Sequence, residues 1–323
     1  MASYDIFNGD ADGICALHQL RLAEPRDGLL ITGVKRDIAL VAQVKAVSGD
    51  ELTVFDISLA ENRTAVLAAL EAGAHCLYFD HHFPGDIPEH PRFEAHIEHR
   101  PGVCTSLIVD EYLGARFRAW AVVAAFGDNL LAQAQQAAAP LGLPVDQIAL
   151  LRELGECINY NAYGEALEDL YFHPAELYRR LRPYADPREF AARDPAFESL
   201  RAGYREDLAQ AARIAPIVDT SDHYLVTLPD TPWARRVHGP LANRLAAAEP
   251  NRAHAVLVGR GTNYRVSVRA PLLSPSGAAE LCAGFPSGGG RPEAAGINDL
   301  PVAQLPEFQR AFESAFAPTA TRP

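Results

Sequence analysis

Short apolar runs alternate with helix-spaced segments through the first 130 residues of the chain. Residues 3–8, 29–34, 52–57, 75–80 and 94–98 read as strands, each a brief block of aliphatic and aromatic side chains. Between them, Ile14–Leu22, Ile38–Val47 and Asn62–Ala72 place apolar residues at helical spacing. Such alternation predicts an α/β domain with a parallel sheet and helices on both faces. Residues 104–182 predict mostly helix, most clearly over Cys104–Leu113, Trp120–Ala137 and Val145–Tyr160, and the stretch from Arg182 to Pro187 predicts a break. A helix over Ala196–Ala215 is expected to connect to a second region. There, strands at 224–228, 253–258 and 264–268, a hairpin turn over Gly259–Asn263 and helices at Leu241–Ala248, Gly277–Cys282 and Glu307–Phe316 predict a smaller mixed α/β domain. The expected division is a domain over 1–185, a helical linker over 186–216 and a second domain over 217–323, with a Pro/Thr/Ala-rich tail from Ala317 that should fray.

The strand ends carry the candidate chemistry. Asp10 and Asp12 follow the run Tyr4–Phe7, and Asp56 follows Leu52–Phe55. Asp80-His81-His82 closes the run Cys76–Phe79, and Asp128 follows Ala124–Gly127. Taken singly, an Asp at a strand exit is as readily a turn former or a helix cap. In an open parallel sheet, however, the strand C-termini share one edge, where ligands bind. Four acidic or imidazole clusters meeting there would repel or stay unpaired unless a cation joined them, so a divalent metal centre is expected. Thr105 and Ser106, at the start of a helix, either present hydroxyls and N–H groups to that edge or simply cap. His18 is assigned to neither site nor core, whereas His75, His90, His96 and His99 read as surface or strand-edge residues.

A second set lies in the C-terminal half. Ser267-Val268-Arg269 ends a strand, and Gly288-Gly289-Gly290-Arg291 precedes Ala294-Ala295-Gly296. Three glycines in a row permit close backbone approach and an anion-binding nest. The 294–296 segment is expected to open a helix whose N-terminus faces phosphate, with Arg269 and Arg291 adding charge-assisted contacts.

Charge narrows the ligand. The net charge is −12, and lysine occurs only at positions 35 and 45. Long duplex DNA, which demands a basic stripe, is excluded as the expected partner, and a small phosphorylated molecule fits better. The five cysteines are scattered and lack metal-site spacing, which predicts reduced thiols and a cytoplasmic protein. No basic leader and no apolar run of about 20 residues is seen, so neither a signal peptide nor a membrane partner is expected.

As an ordered set, Asp10-Ala11-Asp12-Gly13, Asp56, Asp80-His81-His82 and Phe126-Gly127-Asp128 resemble the four motifs of the DHH phosphoesterase superfamily. Ser267-Val268-Arg269 and Gly288–Gly296 resemble its associated C-terminal domain, so the resemblance spans nearly the whole chain. It implies a hydrolase with two manganese ions, or magnesium or cobalt in their place, in a cleft between the domains. Carried over, Asp56 bridges the metals, Asp10 binds one, and Asp12, His81 and Asp128 bind the other. His82, with Asp80, serves catalysis and faces the scissile phosphate. Arg269, Gly288, Gly289, Gly290 and Arg291 hold the rest of the substrate.

Two positions depart from the pattern. Ile6 stands where many members have histidine, which leaves Asn8 or water as the replacement ligand. Arg291 stands where the glycine loop usually continues with histidine, and it cannot give up its proton. The implied function is hydrolysis of phosphodiester or phosphomonoester bonds in short oligonucleotides, bisphosphorylated nucleosides or cyclic dinucleotides. The two-domain length and acidic charge favour this over RecJ-like single-strand exonuclease action. The alternatives are a pyrophosphatase or polyphosphatase of the same superfamily, and a nucleotide-binding regulatory protein with an eroded site. A homodimer is left open.

Overall fold

The computed structural model describes residues 1–317, so the expected fraying beyond Ala317 lies outside the described residues. Two units divide at Gly203/Tyr204. The first opens with β1 (Ser3–Phe7), α1 (Ala11–Ala23), β2 (Leu29–Ile31), β3 (Glu51–Phe55), α2 (Leu59–Glu71), β4 (His75–Asp80) and β5 (Phe93–Ile97). It continues with α3 (Thr105–Tyr112), α4 (Arg118–Gly127), α5 (Leu131–Ala138), α6 (Val145–Ala162), α7 (Pro174–Leu181), α8 (Pro187–Arg193) and α9 (Pro195–Ala211), the unit boundary falling inside α9.

The five strands of this unit are all parallel, in the order β2-β1-β3-β4-β5. The chain leaves β1 for β2 on one side and returns to β3 on the other, so the strand order reverses between β1 and β3. That reversal opens a crevice at the strand C-termini. Register places Phe7, Phe55 and Phe79 at one level, so the residues just beyond them leave the sheet together. The apolar runs form strands because β1, β3 and β4 bury their C-terminal halves.

Two expected helices differ. Over Ile38–Val47 only one 3₁₀ turn forms, at Val41–Gln43. The Asn62 side chain donates to the Ile38 carbonyl at 2.6 Å and accepts from the Val41 N–H at 3.1 Å, taking backbone groups that a helix would pair internally. The helix expected over Trp120–Ala137 breaks into α4 and α5 at Asp128–Leu130, where Asn129 adopts a positive φ of 62°. Close packing sets the position of that break. A Cβ on Gly127 would meet Ala11 Cβ at 2.5 Å and the Gly155 carbonyl at 2.8 Å, so glycine lets α4 cross α1 and α6 at short range.

His18 belongs to the core. It is 1% exposed, its Nε2 lies 2.8 Å from the Tyr184 carbonyl, and its ring meets Trp120 edge-on at 4.7 Å. Burial outweighs the hydrogen bond to Tyr184 and pushes its pKa down to about 4. As pH falls below about 6.5 the unfolded chain takes up a proton here and the native state does not. Stability is therefore full above 6.5 and falls until about pH 4, by roughly 3 kcal/mol in all. Urea unfolding at pH 7 and pH 5 should show a loss about 2 kcal/mol smaller for His18→Gln, which keeps the donor to Tyr184 but cannot titrate. Parallel losses in the two proteins would remove His18 from the pH response.

The second unit contains β6 (Val218–Asp219), β7 (His223–Leu228), α10 (Pro232–Ala248), β8 (Ala253–Arg260), β9 (Asn263–Arg269), α11 (Ala278–Ala283), β10 (Gly288–Gly290), β11 (Ala294–Pro301) and α12 (Leu305–Ala315). Its sheet runs β10-β11-β9-β8-β7-β6, with only β7–β8 parallel. Leu225, Val266, Val268, Ile297, Phe308 and Phe312 form its apolar core.

The glycine segment is a correction. Gly288–Gly290 forms the edge strand β10, paired with Ile297, Gly296 and Ala295, rather than a nest. Ala294–Gly296 belongs to β11 rather than to a helix N-terminus. Pairing with β9 buries Ala295 and Ile297 alternately, a period-two pattern that a helix would disperse. All five cysteines are buried, and no disulfide joins any two of them. No helix among the described residues is long and apolar enough to cross a membrane.

Candidate metal centre

Asp10, Asp12, Asp56 and Asp80 are positioned by the backbone at the ends of their strands, whereas Asp128 caps the C-terminus of α4 rather than a strand. Asp10 caps α1: its Oδ1 accepts from the N–H groups of Asp12 at 3.0 Å and Gly13 at 3.1 Å. Asp12, two residues on, turns its carboxylate to the start of α3, accepting from Thr105 N and Ser106 N at 2.7 Å each. Ser106 Oγ also donates to the Asp12 carbonyl at 2.8 Å. Thr105 and Ser106 therefore fix the carboxylates, using the favourable end of a helix.

Asp56 leaves β3 with φ of 59°, a left-handed conformation uncommon for a residue with a side chain. Its N–H donates to the Phe79 carbonyl at 3.0 Å, and its Oδ1 accepts from Thr105 Oγ1 at 3.1 Å and lies 3.3 Å from His81 Nε2. Asp80 is fully buried; its Oδ1 accepts from the His81 N–H at 2.9 Å and lies 2.7 Å from His82 Nδ1. That contact orients the His82 ring, which packs against His81 at 4.4 Å between centroids. Asp80 Oδ2 is buried with no hydrogen-bond partner.

Ligand atoms of Asp56, His81 and His82 lie within 4.8 Å of one another, close enough for one cation to reach all three. Burial, joined by the charges of Asp10 and Asp12, holds the Asp56 carboxyl well above the usual range despite its contact with His81. Burial opposes charge on His81, but its hydrogen bond with Asp56, with Asp12 and Asp128 beyond, raises its pKa. Burial likewise raises the Asp128 carboxyl, against the pull of Lys35. Repelling carboxylates, a proton-holding imidazole and an orphaned buried oxygen are what a hard divalent cation would resolve, so the residues present fit one.

Sequence reasoning missed Lys35. From the loop after β2 its Nζ reaches Asp10 Oδ2 at 2.5 Å, Asn159 Oδ1 at 3.2 Å and Asp128 Oδ1 at 3.6 Å. Burial would raise the Asp10 carboxyl, but Lys35 holds it low. Asn8, expected as a replacement ligand, donates through Nδ2 to the Lys35 carbonyl at 3.2 Å and keeps a buried, unpartnered Oδ1. Ile6 lies in the apolar core with Leu52 and Val54. The signal available in the sequence was scarcity, because lysine occurs at only two positions and one directly follows a strand.

The remaining residues lie in the second unit. Arg269 Nε donates to Asn243 Oδ1 at 2.8 Å and its Nη1 to Ser267 Oγ at 2.9 Å, so Asn243 on α10 holds the guanidinium, a role without a sequence signal. Arg291 is largely exposed beyond β10 and pairs with Glu293 at 3.2 Å. His75 is exposed, and His96 stacks on Phe79 at 4.9 Å in the edge strand β5.

No protein-family model and no curated protein matches this sequence. Solved structures do. The fold is similar to that of the exonuclease RecJ bound to manganese, at 18% identity and a TM-score of 0.62, covering 98% of this chain and 90% of that one. It is similar to RecJ of Thermus thermophilus in complex with manganese, at 20% identity and a TM-score of 0.59, over 98% of this chain but 52% of that one. It is also similar to a pGpG-specific phosphodiesterase from Vibrio cholerae, at 14% identity and a TM-score of 0.56, over 98% and 99% of the two chains. The chain has the DHH fold.

Proposed function

We propose that this chain is a metal-dependent phosphoesterase that hydrolyses the phosphodiester bond of a dinucleotide or other short oligonucleotide. The observation that carries the reading is the Asp56–His81–His82 cluster, with Asp12 and Asp128 behind it, at the reversal point of a parallel sheet. The match to the pGpG-specific phosphodiesterase over nearly its whole length supports the substrate class. The net charge of −12 also disfavours a long polyanion.

A bound divalent ion would supply Lewis acidity at a phosphoryl oxygen and a more acidic water. Asp56, His81 and Asp12 would hold it. His82, aligned by the buried Asp80, would present Nε2 to a substrate oxygen; Asp80 positions the ring and touches no substrate. Thr105 Oγ1 holds Asp56 in place.

The test is product release from a dinucleotide, a 3′,5′-bisphosphorylated nucleoside, a cyclic dinucleotide, pyrophosphate and short single-stranded DNA, with manganese and with chelator. Turnover should favour the dinucleotide, cease with chelator and fall about 10²–10⁴-fold in His82→Ala, the usual scale for losing a proton-transfer group. Preference for pyrophosphate would reassign the substrate, and no turnover with metal bound would end the enzymatic reading.

A further inference from the structure

We infer that Lys35 is a resident cation of the metal centre, so that the site takes one divalent ion and one ammonium in place of two metal ions. The inference rests on the metal-dependent reading above and concerns how that site is filled.

Asp10 decides the matter. Its Oδ1 is committed to the N–H groups of Asp12 and Gly13, and its Oδ2 to Lys35 Nζ at 2.5 Å. The oxygen of Asp10 not used in capping is thus already held by a cation, whereas both oxygens of Asp12 accept from backbone N–H groups alone. The imidazole that would share a metal with Asp10 is also missing, since Ile6 is fully buried in the core. An ammonium has three donors, and the oxygens of Asp10, Asn159 and Asp128 at 2.5, 3.2 and 3.6 Å surround this one.

The lysine backbone is equally placed. Its N–H donates to the Ala162 carbonyl at 2.9 Å, at the end of α6, and its carbonyl accepts from Asn8. The Tyr163 ring lies 5.6 Å from the ammonium. A lysine bound at backbone and tip is built in rather than draped over the acids. The use of lysine also fits, because the chain's other basic residues are nearly all arginine, whose planar fork would not enter a compact point-charge position. At the other end, Asp56 and His81 stay within 3.3 Å of each other, in reach of one metal ion, with His82 beside them.

Metal content separates the outcomes. Purified protein saturated with Mn²⁺ and desalted would be assayed for manganese per chain and by electron paramagnetic resonance. One ion per chain with an isolated six-line signal is expected in the native protein. Lys35→Ala should take a second ion, and the spectrum should then show coupling between the two. Two coupled ions in the native protein would overturn the inference while leaving the phosphoesterase reading intact. One ion in both native protein and Lys35→Ala would overturn the role of Lys35. No bound ion would overturn the metal-dependent reading and this inference with it. The native spectrum decides between one ion and two even if Lys35→Ala fails to fold.

Discussion

Asp56→Asn is expected to abolish turnover, by about 10³-fold or more, while making the metal-free protein more stable. The size of the loss follows from removing a charged ligand at a site whose electrostatic stabilisation supplies much of the rate. The gain in stability follows from the site's composition. Asp56 is 2% exposed, and both its burial and the neighbouring charges of Asp10 and Asp12 disfavour its ionised form. Asparagine keeps the oxygen that Thr105 Oγ1 contacts and tolerates φ of 59° about as well as aspartate.

The sign can be followed with pH. A carboxyl whose folded pKa lies above its ordinary 3.8 makes the native state bind the extra proton, so stability is lost as pH rises from 3.8 toward the folded value. Native protein and variant should therefore unfold alike near pH 3.8 and diverge as pH rises, the variant ahead. Each kcal/mol released would raise the melting temperature by roughly 2–4 °C. Adding Mn²⁺ should reverse the order, because only the native protein gains from the ion. Melting curves in chelator and in manganese, beside turnover of the dinucleotide, read all three effects. A variant less stable than native in chelator would show that Asp56 is not held under repulsion, and retained turnover would remove it from the centre.

The same residues explain what was legible in the sequence. Parallel strands buried on both faces are continuous apolar runs, so β1, β3 and β4 and the acids at their ends could be read directly. Strand order then does what no single motif can: it puts Asp10 and Asp56 on the two sides of the reversal between β1 and β3. Asn159 was illegible, and Lys35 marked only by the scarcity of lysine, because their roles depend on how the loop after β2 meets the end of α6, which leaves no periodicity. The Ile38–Val47 segment misled for the opposite reason. Its spacing is helical, yet its backbone groups are claimed by the side chain of Asn62, a contact between distant elements. The triple glycine reads from sequence as a nest, and only its pairing with Ala295–Ile297 makes it an edge strand. Asn243 illustrates the limit at Arg269, since nothing local marks an asparagine in the middle of a helix as the holder of a guanidinium.

Arg21→Met is expected to cost about 3–5 kcal/mol of stability, the penalty for leaving a buried charge without its partner. Arg21 is 5% exposed and Asp5 1%. The guanidinium binds Asp5 Oδ1 through Nη2 at 2.5 Å, both carboxylate oxygens through Nε at 3.2 Å, and Thr53 Oγ1 at 2.9 Å. One side chain thus ties the last turn of α1 to β1 and β3, the strands that flank the reversal. The pair's presence is weak grounds for stability, because burying two charges costs about as much as their attraction returns. Breaking it is a different matter, since Asp5 cannot regain water. Asp5→Leu combined with Arg21→Met should therefore recover most of the loss, whereas simple additivity would make the double variant worse than either single one. Urea unfolding of the native, single and double variants closes the cycle, and a single-variant cost below about 1 kcal/mol would show that Asp5 is neutral or hydrated. Manganese content offers an independent check on location. The N-terminus of α1 carries Asp10 and Asp12, while Arg21 anchors its far end. A folded Arg21→Met protein that still binds the native number of ions would place this pair in the scaffold that holds α1 to the sheet, separate from the charges that α1 delivers to the centre.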